Sequence, residues 1–361
     1  MQIATQKKFR QVLQITLIWV LVGIYIRLYN NIEFDHATGG FIYQLPNGIN
    51  FGRDLWSSTL PPLLGGLLGG SLIIFWLKDR VKEYSYGRML IIHSLIYLGI
   101  ILLLSFITLT INDLLYGSHS LTKSLLTKNL RIIFTNPGFW KPLSFWYIIV
   151  MLTVFFLQVN EKYGQGVLWN FLSGKYHRPR EEYRIFMFLD IKSSTTIAEQ
   201  IGSSLYYQMI RQFFTDITNP VINTRGEIYQ YVGDEVIITW KTRKSLDGYQ
   251  AIRCYEEIRQ HIQHKEAWYI HHFGHCPTFK AGIHAGMVTV GEIGVIKKDL
   301  TYTGDVLNTA SRIMGCCKEF GCDLLFSEEL ISKMEKPVIP FRFMAEVSLR
   351  GKQAPVRLFT I

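Results

Sequence analysis

Two carboxylates stand where strand-like apolar runs end. Asp190 closes Ile185-Phe-Met-Phe-Leu-Asp190, and Asp234 lies within Ile228-Tyr-Gln-Tyr-Val-Gly-Asp-Glu-Val-Ile-Ile-Thr-Trp240. Carboxylates brought to one sheet edge hold Mg²⁺ or Mn²⁺ against a nucleoside triphosphate, because hard cations take oxygen ligands and share them with phosphate. After Asp190 the chain offers consecutive backbone N–H groups at Ser193, Ser194 and Thr195, which suits a triphosphate at a helix N-terminus. Each carboxylate has a plainer reading. A strand-ending Asp before Ser/Thr commonly caps a helix, and an Asp after Gly commonly serves a turn. The two together, each following a β-rich run, favour a metal pair.

A second group lies further on. Thr301-Tyr-Thr-Gly-Asp-Val-Leu-Asn-Thr-Ala-Ser-Arg312 opens a helix on which Asn308 and Arg312, four residues apart, share a face. An amide and a guanidinium placed so stabilise the charge that develops in phosphoryl transfer; the plainer reading is an N-capped helix with a surface Arg. Leu349-Arg-Gly-Lys-Gln-Ala-Pro-Val-Arg-Leu-Phe359 sets Lys352 in a Gly-containing turn between strands, as a solvated cation or a phosphate clamp.

These residues need a scaffold, and the pattern after residue 185 supplies one. Strands are expected at 185–190, 226–232, 235–240 and 278–285, with helices at 203–219 and 245–264, so this part is α/β. The strands around Val232-Gly-Asp-Glu235 form a hairpin with its carboxylate at the tip. All five cysteines fall here, as a reducing compartment permits without disulfides, and they lack the paired C-x-x-C spacing of a zinc site.

The first part of the chain is unlike this. Four stretches, about 12–28, 59–77, 89–111 and 144–159, approach or exceed the ~18–20 apolar residues that cross a bilayer. Lys7, Lys8 and Arg10, then Lys78, Arg80, Lys82 and Arg88, then Lys162, Lys175, Arg178 and Arg180 place both termini and the second loop in the cytoplasm. Lys123, Lys128, Arg131 and Lys141 would then lie outside with only Asp113 to offset them; four spans are still preferred, since an even number leaves the carboxylates where nucleotides are. The net charge of +10 follows from flanking cations that meet anionic headgroups of membrane lipid, and no basic stripe with interleaved aromatics suggests nucleic acid. Gly65/Gly69 and Gly66/Gly70 are small-residue pairs for close helix packing, in a dimer seam or within the chain. His93 and Arg27 are polar groups near the membrane to which no function is assigned. Residues 161–184 read as a connector with a short amphipathic helix at 167–172, either coupling the two halves or tethering them.

Taken in order, Phe188-Leu-Asp-Ile191, Val232-Gly-Asp234, Gly282-Ile-His-Ala-Gly286, Gly304-Asp-Val-Leu-Asn-Thr-Ala-Ser-Arg312 and Arg350-Gly-Lys352 resemble the class III nucleotidyl cyclases over about residues 183–361. The resemblance implies that residues 185–361 are an α/β, ferredoxin-like catalytic domain; the apolar runs and flanking cations set before it a four-helix transmembrane domain (1–160) and a cytoplasmic linker (161–184). The resemblance also implies that Asp190 and Asp234, with Ile191, bind two Mg²⁺ or Mn²⁺ ions. Asn308 and Arg312 would stabilise the transition state, and Lys352, Ser193, Ser194 and Thr195 would contact the nucleotide. Sites in this family form between two catalytic domains, so a homodimer is implied, with Asp190 and Asp234 of one subunit facing Asn308, Arg312 and Lys352 of the other. Two positions depart from the best-known members: Gln230 stands where adenylate-making relatives usually have Lys and guanylate-making ones Glu, and Thr301 where many have Asp or Cys. Both groups donate and accept. ATP is favoured and GTP is the alternative, so the expected activity is a membrane-anchored adenylate cyclase. A guanylate cyclase and a catalytically silent nucleotide-binding receptor remain the competing readings.

Overall fold

The computed structural model describes residues 3–35, 40–43, 51–77, 80, 84–116, 122–163, 173–242, 247–296, 298–334, 340–349, 352 and 354–361. The chain divides into two compact units, Met1–Tyr163 and Gly164–Ile361.

The first unit is helical. It contains α1 (Ile3–Asn30), the pair β1 (Ile32–Asp35) and β2 (Gly40–Tyr43), α2 (Phe51–Ser71) continued by a π-helical stretch at Leu72–Leu77, α3 (Tyr86–Tyr116), α4 (Lys123–Thr135) and α5 (Pro137–Tyr163). Among the described residues, four helical segments are long and apolar enough to cross a membrane: Thr5–Asn30, Ser58–Leu77, Gly87–Leu115 and Pro137–Asn160. Val12, Ile15, Trp19, Ile73, Ile74, Tyr97, Val150 and Val154 form their shared core, while Leu13, Leu17, Leu21, Ile91, Leu95 and Leu103 point outward. The glycine stripe of α2 is used inside the chain. A Cβ at Gly66 would lie 2.6 Å from Thr16 Cα, one at Gly69 3.2 Å from the Tyr97 ring, and one at Gly70 3.7 Å from Val12, so the stripe is where α1 and α3 approach α2. Two polar groups in this unit are paired across helices: Tyr97 Oη donates to Gly69 O at 3.0 Å and Trp19 Nε1 to Thr153 Oγ1 at 3.0 Å. His93, 3% exposed, sits with Nδ1 2.7 Å from Met89 O on its own helix.

Helix α4 was not expected from hydropathy. Its 13 residues are too few to span, and Lys128, Asn129 and Arg131 interrupt the apolar pattern. It is amphipathic, capped by Thr122 Oγ1 accepting from Leu125 N at 3.3 Å, and tied to α3 by Lys128–Asp113 at 3.6 Å and Asn129 Nδ2 to Thr110 Oγ1 at 3.3 Å. The cation excess of this connection is therefore partly met by the one acid available there.

The second unit is an α/β domain with β3 (Arg180–Ile191), α6 (Ser194–Ile201), α7 (Ser203–Asn223), β4 (Glu227–Val232), β5 (Glu235–Lys241), α8 (Asp247–His264), α9 (Glu266–Phe273), β6 (Phe279–Ile293), β7 (Asp299–Thr303), α10 (Asp305–Cys316), β8 (Leu324–Ser327), α11 (Glu328–Ile331), β9 (Arg342–Val347) and β10 (Val356–Thr360). The sheet order is β4-β5-β3-β6-β8-β10-β9, with β7 paired to β6; β6 and β8 are parallel and the other pairs antiparallel. Strand β3 is central and covered on both faces, which is why its sequence is a continuous apolar run. Ile185, Met187 and Leu189 join the core with Phe213, Ile217, Tyr255 and Ile258 of α7 and α8. Phe186 and Phe188 face the other way, toward Val288, Val290, Tyr302, Val306 and Ala310, the last two from α10.

Several elements run further than their sequence pattern. Strand β3 begins at Arg180, five residues early, because polar residues from Arg180 to Arg184 pair with β6 from Val290 to Gly286. Strand β6 continues to Ile293, past the expected end at 285 and through the glycines at 286 and 291. The helix expected over 245–264 is followed by a separate α9. The helix expected at 167–172 lies outside the described residues. Cys254 and Cys317 are buried, and burial pushes both thiols up to about 12.

Candidate active site

Strand register brings the acidic residues together. Asp190, the penultimate residue of β3, lies opposite Glu235 of β5 and Lys280 of β6. The β4–β5 hairpin closes through Gly233 and Asp234, with Gly233 at φ 65°, a left-handed value that glycine adopts at little cost. The tight turn fixes Asp234 next to Glu235 and therefore beside Asp190. Burial pushes the Asp190 carboxyl above its ordinary value; Lys280, with Nζ 3.2 Å from Asp190 Oδ2, opposes this, and the Asp234 charge adds to it. Glu235 is raised as well, by burial and then by Asp190 and Asp234. Converging carboxylates whose repulsion is only partly offset by one lysine are the donor set a divalent cation stabilises, and Mg²⁺ sites commonly need no more than one or two of them plus phosphate and water. The residues present fit such an ion.

A phosphate seat lies next to this pair. Ile191 is buried at the end of β3, Ser193 takes a left-handed conformation (φ 54°), and α6 begins at Ser194. Ser193 is the N-cap, so Asp190 does not cap this helix. The first intrahelical bond runs from Ile197 N to Ser193 O at 3.0 Å, which leaves the N–H groups of Ser194, Thr195 and Thr196 directed out of the helix start.

Helix α10 carries the second group. Val306, Thr309, Ala310, Ile313 and Met314 are its buried face, so Asn308 is exposed and Arg312 half-buried on the face turned from the sheet. Among the described residues neither side chain makes a hydrogen bond or ion pair. The helix sits against β6 because Gly282 has no side chain: a Cβ there would fall 2.3 Å from Met314 N and 2.5 Å from Ala310 O. Lys352, in the connection from β9 to β10, has Nζ 3.5 Å from Asp305 Oδ2 at the start of α10; Arg350 and Gly351 lie outside the described residues. His284 of β6 is buried, with Nδ1 2.7 Å from Ser327 Oγ, and burial pushes its imidazole down to about 4. Gln230 is exposed on β4, and Thr301 is half-buried on β7 opposite Gly291.

The structure thus gathers Asp190, Asp234, Ile191 and Ser193–Thr195 at the end of β3, and Lys352 with Asp305 at the start of α10, where Asn308 and Arg312 follow. Among the described residues no hydrogen bond or ion pair joins these two groups within one chain. Sequence reasoning missed Lys280, Glu235 and Asp305. Lys280 was visible as a lone cation in the strand run Phe279-Lys-Ala-Gly-Ile283, but its meaning depends on the register that sets it against Asp190.

The adenylate and guanylate cyclase catalytic domain model matches residues 177–360. Adenylate cyclase 2 of Rhizobium meliloti (strain 1021) is 33% identical over 185 residues, which is 51% of this chain and 51% of that protein. Adenylate cyclase 1 of the same organism is 27% identical over 181 residues, 48% of this chain and 27% of that one. The chain therefore spans about half the length of the first of these relatives or less. A bacterial light-regulated adenylyl cyclase structure superposes with a TM-score of 0.52 at 20% identity, covering 60% of this chain and 62% of the other, and shows the same fold. With the family model covering residues 177–360, half of its length, the chain belongs to the adenylate and guanylate cyclase catalytic domain family.

Proposed function

We propose that this protein is a membrane-anchored adenylate cyclase that converts ATP to cyclic AMP and pyrophosphate at sites shared between two copies of the chain. The observation that carries this reading is the convergence of Asp190 and Asp234 at the end of β3, beside Lys280 and the N-terminus of α6. Two Mg²⁺ or Mn²⁺ ions, held by Asp190, Asp234 and the Ile191 main chain, would polarise the phosphates and lower the pKa of the attacking hydroxyl. The ribose 3′-oxygen attacks the α-phosphorus, the bond to the β-phosphate oxygen breaks, pyrophosphate leaves, and the hydroxyl proton passes to solvent. Ser193, Ser194 and Thr195 hold phosphate oxygens through main-chain and hydroxyl donors, and Lys280 adds a cation on the same side. Lys352 grips phosphate from the partner subunit. Asn308 and Arg312 of that subunit meet the ribose and the charge growing on the α-phosphate.

The exposed Asn308 and half-buried Arg312, on the face of α10 turned from the sheet, support division of the site between subunits, because that face is open to a second copy. ATP is favoured over GTP because position 230 lacks the Glu of guanylate-making relatives and position 301 is Thr; the Gln230 amide would accept from the adenine 6-amino group and donate to N1, with Thr301 as the second contact. The named activity of the two Rhizobium relatives points the same way. Four helices long and apolar enough to cross a bilayer support membrane anchoring, and the flanking Lys and Arg residues support an orientation with both termini in the cytoplasm, where nucleotide is available.

The test is the full-length protein in detergent with Mn²⁺, given ATP or GTP separately, with cyclic products quantified by mass spectrometry alongside an Asp234→Ala variant. Cyclic AMP from the wild type and none from the variant is the expected result. Dominant cyclic GMP would replace the base assignment, and no product from either nucleotide would favour a silent nucleotide-binding receptor.

A further inference from the structure

Gln230 and Thr301 stand on strands that share no hydrogen bond, with β5, β3 and β6 between β4 and β7. Their neighbours nonetheless touch. The rings of Tyr229 and Tyr302 meet edge to face with centroids 4.9 Å apart, and Phe186 of β3 packs edge-on to both, at 6.4 and 5.4 Å. Tyr229 is free to do this because the register of β4 skips between Ile228 and Gln230, which sets Tyr229 outside the ladder as the extra residue of a bulge.

A buried cation completes the contact. Arg184 of β3, 2% exposed, holds its guanidinium carbon 4.8 Å from the Tyr302 ring centre. Its Nη1 donates to Glu227 Oε2 at 2.9 Å, at the start of β4, while Nε and Nη2 each lie 2.9 Å from Glu182 Oε2. Glu182 is held in turn by Lys241 and by Tyr176 Oη at 3.3 Å. One planar guanidinium therefore ties Glu227, two residues before Tyr229, to Tyr302, the residue after Thr301. Buried ion networks of this kind contribute little net stability against apolar replacements. What a fork of fixed donors does supply is geometry, and here the geometry is the separation of β4 from β7.

We propose that Arg184, Tyr229 and Tyr302 act as a positioning clamp that sets the distance between Gln230 and Thr301, and thereby the preference between adenine and guanine. The inference rests on the reading of Gln230 and Thr301 as the base contacts. Loosening the clamp misplaces donors and acceptors that select the purine edge, without touching Asp190, Asp234, Asn308 or Arg312. The signature is loss of discrimination rather than loss of chemistry.

The experiment uses the full-length protein in detergent with Mn²⁺. For ATP and GTP it measures kcat and KM, together with competition by each nucleotide against a bound fluorescent ATP analogue, a readout that does not need turnover. Tyr302→Leu and Tyr229→Leu are expected to lower the ATP-to-GTP ratio of kcat/KM about tenfold, mostly through KM, given that displacements near 1 Å cost up to roughly a hundredfold. Tyr302→Phe and Tyr229→Phe keep the rings and are expected to hold the wild-type ratio. If the leucine variants fail to fold, Glu227→Gln decides, since the Glu227 side chain is 60% exposed and the change removes one charge from Arg184. Gln230→Ala separates the two ideas. A changed ratio in Gln230→Ala with wild-type ratios in the folded clamp variants would overturn the clamp alone, and an unchanged ratio in Gln230→Ala would overturn the base reading on which it rests.

Discussion

Replacing Gly282 with Ala tests how α10 is held and what its placement is worth. The missing side chain lets α10 lie directly on β6: the added Cβ would sit 2.3 Å from Met314 N, 2.5 Å from Ala310 O and 2.7 Å from Met314 Cα, where ordinary contact begins at 3.4 Å. All three neighbours are backbone, so no rotamer change relieves the clash and the helix must move off the sheet by about 1 Å, the difference between 3.4 and 2.3 Å. Overpacking of this kind costs about 1–3 kcal/mol. The functional effect is larger, because Asn308 and Arg312 ride on the displaced helix, and a 1 Å error in positioned catalytic groups costs on the order of a hundredfold. The assay is single-turnover cyclic AMP formation by the full-length chain in detergent, with the thermal midpoint measured in parallel. The expected outcome is a chain that folds, binds nucleotide and turns over at about one hundredth of the wild-type rate. A Gly282→Ala protein with wild-type rate and midpoint would refute the close approach and the account of how α10 aims its residues.

Three other outcomes follow from the same geometry. Asp234→Asn removes a charge that pushes Asp190 up, so the metal-free variant should be no less stable than the wild type, while lacking the ~2.7 kcal/mol that Mn²⁺ at a hundred times its Kd gives the wild type; differential scanning calorimetry with and without Mn²⁺ reads both. His284, neutral by burial with a folded value of about 4 against an ordinary 6.5, contributes fully above pH 6.5 and destabilises as pH falls toward 4, by ~3 kcal/mol in all. Urea titrations at pH 7 and pH 4.5 should show His284→Gln losing less stability between them than the wild type; equal losses would contradict the assignment. Lys280→Ala removes the cation 3.2 Å from Asp190 and should lower kcat/KM for ATP about tenfold or more, a loss steady-state kinetics would show and that wild-type kinetics would exclude.

Parts of this protein were legible before any coordinates because their residues interrupt a strong pattern. Asp190 breaks a run of five apolar residues, Asp234 follows a Gly between two β-rich runs, and Asn308 and Arg312 recur at helical spacing. Features set by pairing were not legible. Glu182 and Arg184 fell within the expected connector, yet they lie inside β3 as buried charges satisfied by each other and by residues of β4 and β5. Lys280 looks like an ordinary lysine until register sets it against Asp190. In the helical unit, the sequence showed close packing at the α2 glycines but not the partner, which proved to be α1 and α3 of the same chain. Periodicity reports which face is apolar; it does not report what the face meets.

The most direct test of the shared site is complementation between two inactive chains. Asp234→Ala and Arg312→Ala are produced separately and together, and cyclic AMP formation is measured for each and for the mixture. If the carboxylates of one subunit work with Asn308 and Arg312 of the other, each variant alone is silent. The mixture then regains about a quarter of wild-type activity, since half of randomly paired dimers are mixed and each has one intact site of two. A mixture as silent as its components would contradict the composite site, because a pair with both groups drawn from one chain could never be rebuilt by pairing.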